Sequence, residues 1–123
     1  MIRRALAALT LVACTAGLAG CGGDGSSGSG DGKGLSTKTI TVTISGDSVT
    51  PNGDRVDVQV GQPVELVVKA DAAGEIHVHS DPEQQLEYGA GTTTLKPFTI
   101  DKPGIVEVES HALEKTIVQL EVK

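Results

Sequence analysis

The chain has almost no aromatic residues and almost no sulfur. Tryptophan is absent, Phe98 and Tyr88 are the only aromatic rings besides histidine, and there is one methionine. A core without large rings must be filled by Val, Ile and Leu, and Phe98 is expected to be its largest member. Both cysteines, Cys14 and Cys21, fall within the first 21 residues. The remainder therefore has no disulfide, no thiolate zinc site and no cysteine nucleophile. Sustained helical periodicity is also missing. Positive charge is scarce: the formal net charge is −6 at pH 7. Setting Arg3 and Arg4 aside with the leader described next leaves eight basic against sixteen acidic side chains, a net −8. Such a domain repels nucleic acid and anionic lipid headgroups, so neither is expected as an electrostatic partner.

Charge is absent again from Ala5 to Gly20, an apolar run behind the basic start Met1-Ile2-Arg3-Arg4. Its length and small-residue ending suit an export signal rather than a spanning helix. It ends in Leu18-Ala19-Gly20-Cys21, which resembles a bacterial lipobox. The resemblance implies a lipoprotein: residues 1–20 are a signal peptide, and Cys21 becomes the N-terminal residue, carrying a diacylglyceryl group with palmitate-type chains. Leu11-Val12-Ala13-Cys14 also fits loosely, but its apolar run is short and the residues after it stay apolar. From Gly22 to Gly34 the chain is Gly, Ser and Asp with one Lys33. That composition cannot offset its ordering entropy, so residues 21–35 read as a lipidated Cys and a flexible tether. About 13 residues at ~5–6 Å × √n reach roughly 20 Å. The expected location is the extracytoplasmic face of the cell membrane, held by the lipid anchor.

Residues 36–123 alternate with period two. Ile40, Val42 and Ile44 alternate with threonines, Val56, Val58 and Val60 with Asp57 and Gln59, and Val64, Leu66 and Val68 follow Gly61-Gln62-Pro63. Ile76 and Val78, Phe98 and Ile100, Val106 and Val108, and Val118, Leu120 and Val122 continue the pattern. Short strands at 8–12-residue spacing, broken by Gly, Pro and Asp, predict an all-β fold, an antiparallel Greek-key β-sandwich. Pro82 to Tyr88 is expected to form one helical turn, within a covering loop that runs from Asp81 to Thr94.

Three segments give Thr37 to Lys123 a family likeness. They are Val60-Gly61-Gln62-Pro63-Val64-Glu65-Leu66, Ala72-Ala73-Gly74-Glu75-Ile76-His77-Val78-His79, and Lys102-Pro103-Gly104-Ile105-Val106-Glu107-Val108-Glu109-Ser110-His111. In this order, with a final strand, they resemble a cupredoxin. The resemblance is closer to the cupredoxin-like domains of bacterial exported proteins that are poor in copper ligands, such as the domain of periplasmic iron-uptake lipoproteins. It implies that His77 stands where the first copper histidine is expected and Ser110 where the copper cysteine is. A blue-copper centre requires that thiolate. The chain is therefore no blue-copper electron carrier.

His77 and His79 stand two apart on one strand, so they project from one face roughly 6–7 Å apart. His111 follows a later strand. If that strand neighbours the first, His77, His79 and His111 converge, with Glu109 or Glu75 as a fourth, oxygen ligand for Cu(II) or Zn(II). The pleat opposes this: with Ile76 and Val78 in the core, His77 and His79 face water, and only turning the strand over would put His77 inside. Without metal, the histidines are surface strand and turn residues, Glu107 and Glu109 a solvated face, and Asp81-Pro82-Glu83 an ordinary turn. Three histidines with no acid in a cleft and no nucleophile do not make an active site, so no enzyme is expected. The expected function is a membrane-anchored cupredoxin-like binding module with weak Cu(II) or Zn(II) binding. The alternative is a metal-free interaction or structural module with an unknown envelope protein as partner.

Overall fold

The computed structural model describes residues 34–123. The expected signal peptide, Cys21 and all of the tether before Gly34 lie outside the described residues. Nine strands follow: β1 (Lys38–Ser45), β2 (Ser48–Thr50), β3 (Asp54–Val58), β4 (Val64–Ala70), β5 (Gly74–Val78), β6 (Gln84–Tyr88), β7 (Gly91–Thr94), β8 (Gly104–Ser110) and β9 (Lys115–Val122). A single 3-10 turn, His111–Leu113, joins the last two. The strands form a four-stranded sheet in the order β2-β1-β4-β7 and a five-stranded sheet in the order β3-β9-β8-β5-β6.

Alternation builds both inner faces. Ile40, Val42 and Ile44 of β1 and Val64, Leu66, Val68 and Ala70 of β4 are buried. Opposite them lie Ile76 and Val78 of β5, Val106 and Val108 of β8, and Leu120 and Val122 of β9. Phe98 is buried as expected, where its backbone bridges Val64 in both directions at 2.8 and 3.0 Å. Tyr88 joins it in the core, packed over Gly74, its cross-strand partner.

The sandwich is the expected one, but its pairing is not antiparallel throughout. β1 pairs with β4, and β3 with β9, in parallel. Parallel neighbours need a crossover. Here the chain supplies it by crossing to the opposite sheet: β3 lies in the five-stranded sheet between β1 and β4 in sequence. The expected helical turn at Pro82–Tyr88 is strand β6, and β7 replaces the end of the expected covering loop. Leu86 and Tyr88 face inward while Gln85 and Glu87 are exposed, a period of two that a helix cannot bury.

A β-bulge interrupts the β8–β9 ladder. Val108 pairs with Val118 but Glu109 pairs with Thr116, leaving Ile117 as the extra residue. Ile117 and Val118 are consequently both buried, and Thr116 rather than Ile117 stands beside Glu109.

Two substitutions test this packing by denaturant unfolding. Phe98→Ala is expected to cost ~3–5 kcal/mol, because no other wholly apolar ring fills the core. Gly74→Ala is expected to cost ~1–3 kcal/mol by overpacking, since a Cβ there would lie 2.6 Å from Tyr88 Cζ. Unchanged unfolding midpoints would mean that neither ring carries the packing described.

Candidate metal centre

The outer face of the five-stranded sheet collects ionisable groups because its inner face has taken the aliphatic ones. His77 stands directly opposite Glu109 across β5 and β8. The ladder continues one step further through His79 N–H, which donates to the Glu107 carbonyl at 2.9 Å. His77, His79 and Glu109 therefore share that face, and the turn after β8 brings His111 back over it. The three imidazoles meet: ring centroids lie 3.8 Å apart for His77 and His111, 5.4 Å for His79 and His111, and 6.5 Å for His77 and His79.

The donor atoms separate into two sets. His79 Nε2 is 2.9 Å from Glu109 Oε2, His111 Nε2 is 3.6 Å from the same oxygen, and the two nitrogens are 3.4 Å apart. A tetrahedral ion with ligands at ~2.0–2.1 Å holds its donors ~3.3 Å apart. The His79–Glu109–His111 triangle already has that size. These three side chains are half-buried to exposed, so the triangle opens to solvent.

His77 belongs to the other set. It is 8% exposed although it points outward, because its ring lies under His111 and between two carboxylates. Its Nε2 contacts Glu75 Oε1 closely and its Nδ1 is 3.1 Å from Glu83 Oε1. His77 is outward-facing and sheltered at once, since side chains on its own face cover it while Ile76 and Val78 stay in the core. Both nitrogens of His77 face carboxylates and its ring stacks on His111, so it lies beside the triangle and outside that set of donors. Glu75, the other candidate oxygen, contacts His77 and not the triangle. The other oxygen of Glu83 is 3.9 Å from His79 Nδ1, so Glu83 spans both strand histidines.

Glu83 reads from sequence as part of a turn. The overlooked signal is the Leu86/Tyr88 alternation, which makes β6 the hairpin partner of β5, pairs Val78 with Gln84 and brings Glu83 beside His79. Thr116 was equally hidden, because only the bulge places its hydroxyl 3.2 Å from Glu109 Oε1, to which it donates. Ser110 is buried on the inner side of β8, across the sheet from His77 and Glu109.

Charge organises the face. The hydrogen bond to Glu75 raises the His77 pKa above 6.5; shelter from solvent opposes this and Glu83 reinforces it. Burial pushes Glu109 upward, but hydrogen bonds from His79 and Thr116 outweigh it and hold its pKa below 4.5.

No protein-family model matches the chain, and no curated protein sequence is similar enough to count as a relative. Among solved structures it is similar to a multi-copper oxidase from Pediococcus acidilactici, with a TM-score of 0.53 and 17% identity, over 71% of this chain and 26% of that one. It is also matched to a heme-copper terminal oxidase solved as a dimer, with a TM-score of 0.46 and 16% identity, over 70% of this chain and 65% of that one. The chain thus spans about a quarter of the oxidase from Pediococcus acidilactici and less than two thirds of the other. The first match shows the fold: two mixed sheets in a cupredoxin-like sandwich.

The two shifts set a pH window for the metal-free protein. A raised histidine pKa stabilises fully below its unfolded value, 6.5, and the contribution fades as pH rises through the folded value. A depressed carboxyl pKa stabilises fully above its unfolded value, 4.5, and fades as pH falls through the folded value. Both contributions are complete between 4.5 and 6.5. In chelator, the Tm gap between wild type and His77→Gln should be widest in this window and close toward alkaline pH. The gap for Glu109→Gln should close toward acid pH. A gap that stays constant with pH would remove that residue from the charge network.

Proposed function

We propose that the protein is an exported, lipid-anchored binding module that takes a divalent transition metal, Cu(II) or Zn(II), on the outer face of its cupredoxin-like domain. The observation that carries this reading is the His79–Glu109–His111 triangle, whose donor separations of 2.9, 3.4 and 3.6 Å match one face of an ion's coordination shell. Two imidazoles and a carboxylate suit either ion. His77 and Glu83 act as the outer support. The role proposed here is binding. Electron transfer through a copper thiolate is excluded, since Cys14 and Cys21 are the only cysteines and both precede the domain. Attachment rests on Cys21, which the lipobox-like Leu18-Ala19-Gly20-Cys21 marks for acylation. The triangle would then sit on a short tether at the extracytoplasmic face, open to exchange with a protein of the envelope.

A metal-free reading has one observation in its favour. Both nitrogens of His77 already face carboxylates, so part of the network is satisfied as imidazole–carboxylate pairs that stabilise an interaction module.

Isothermal titration of Cu(II) and then Zn(II) into the purified protein separates the two. One-to-one binding tighter than about micromolar is expected near neutral pH, abolished when His79, Glu109 and His111 are all changed to Ala. Affinity should fall as pH drops through the histidine range, because ligand nitrogens must be unprotonated. His77→Ala should weaken binding about 10–100-fold without abolishing it. Absence of heat with either ion would leave the metal-free module standing.

A further inference from the structure

We infer that Thr116 is the positioning residue that makes Glu109 a one-oxygen ligand in the triangle it forms with His79 and His111; the inference rests on the metal-binding reading above. The two oxygens of Glu109 are used differently. Oε1 accepts from the Thr116 hydroxyl at 3.2 Å. Oε2 is the one that faces both imidazoles, 2.9 Å from His79 Nε2 and 3.6 Å from His111 Nε2. One oxygen is thus tied to β9 and the other is presented to the triangle.

Glu109 needs such a restraint more than its two partners do. The rings of His79 and His111 stack on one another. The carboxylate sits at the end of a long, half-buried side chain, and freezing it on an ion costs rotamer entropy. A hydrogen bond made before the ion arrives sets its orientation in advance, which is the work of an outer partner to a ligand carboxylate. With Oε1 held by Thr116, Glu109 presents a single oxygen, as a carboxylate does in a four-coordinate site.

The strand pairing places the hydroxyl where this role needs it. The register of β8 against β9 shifts by one residue between Val108–Val118 and Glu109–Thr116. Bulges re-aim single side chains, and this one sits where Thr116 meets Glu109. Glu107, two residues earlier on the same face, pairs with Gln119 in the regular part of the ladder and accepts from its Nε2 at 3.1 Å. Glu107 is not among the clustered donors. Both outward carboxylates of β8 therefore have a β9 partner, and the short hydroxyl falls to the one that faces the imidazoles.

Titration of Zn(II) and Cu(II) into the wild-type protein, Thr116→Val and Thr116→Ser tests this, with the Tm of each metal-free form beside it. Thr116→Val keeps the shape of the side chain and removes the donor, whereas Thr116→Ser keeps the donor. Thr116→Val is expected to lose about tenfold or more in affinity. Its Cu(II) electron paramagnetic resonance spectrum should change as the released carboxylate turns. Thr116→Ser should keep the wild-type affinity and spectrum. Stability should rank the other way: without metal, Thr116→Val should melt above Thr116→Ser, because valine suits a strand better than serine. Affinity lost in the more stable variant then cannot be attributed to misfolding. Wild-type affinity and an unchanged spectrum in Thr116→Val would overturn the inference and leave the three-ligand site intact. Equal losses in both variants would also overturn it, since the hydroxyl would not be the group that matters. Failure of the wild type itself to bind would overturn the site and this role together.

Discussion

The register between β5 and β8 is the constraint on which the candidate site depends. His77 opposite Glu109 and Val78 opposite Val108 are two consecutive steps of one ladder, and they assign every neighbouring side chain to a face. Slipping β5 by one residue would turn Ile76 and Val78 to solvent and drive two imidazoles into the aliphatic core. Burying each of those aliphatic side chains is worth roughly 1.5–3 kcal/mol, and both are fully buried. The hydrophobic inner face therefore holds the polar outer face in place. The triangle does not need its own ion pairs to find its geometry, which matters because half-exposed pairs contribute little.

The bulge at Ile117 completes what the register begins. With regular pairing, Ile117 would stand opposite Glu109 and present an apolar side chain to the carboxylate. The inserted residue sends Ile117 inward beside Val118 and brings the Thr116 hydroxyl to Glu109. One extra residue thus improves the core and supplies a hydrogen bond to the carboxylate of the triangle. The same strand junction carries the 3-10 turn that bears His111.

Much of this was legible in the residues. Alternating Ile, Val and Leu indicate the sandwich, and Gly74 to Ser80 with His111 indicate where side-chain chemistry gathers. Less legible was anything that depends on pairing partners rather than on one strand's own pattern. Parallel neighbours are invisible to periodicity, because β1 and β4 would alternate identically in an antiparallel pair. The Leu86/Tyr88 alternation is present, but Pro82 and the polar Glu83-Gln84-Gln85 obscure it, and Asp81-Pro82-Glu83 has the composition of a turn. His77 is the clearest case: spacing alone allows it to be outside and exposed or inside and buried. Its burial on the outer face comes from Glu75, Glu83 and His111, which no local pattern brings together.

The cupredoxin resemblance made His77 and Ser110 members of one ligand set, and the sheet separates them. His77 shares the outer face with Glu109, whereas Ser110 is the next residue along β8 and so faces inward. The His79–Glu109–His111 triangle is therefore not the remainder of a copper–thiolate centre from which a cysteine has been lost. It lies on the opposite face of the sheet, with its β5 donor two residues beyond His77. The frame and the chemistry are separable, because the frame is set by inward-facing residues and the site by outward-facing ones.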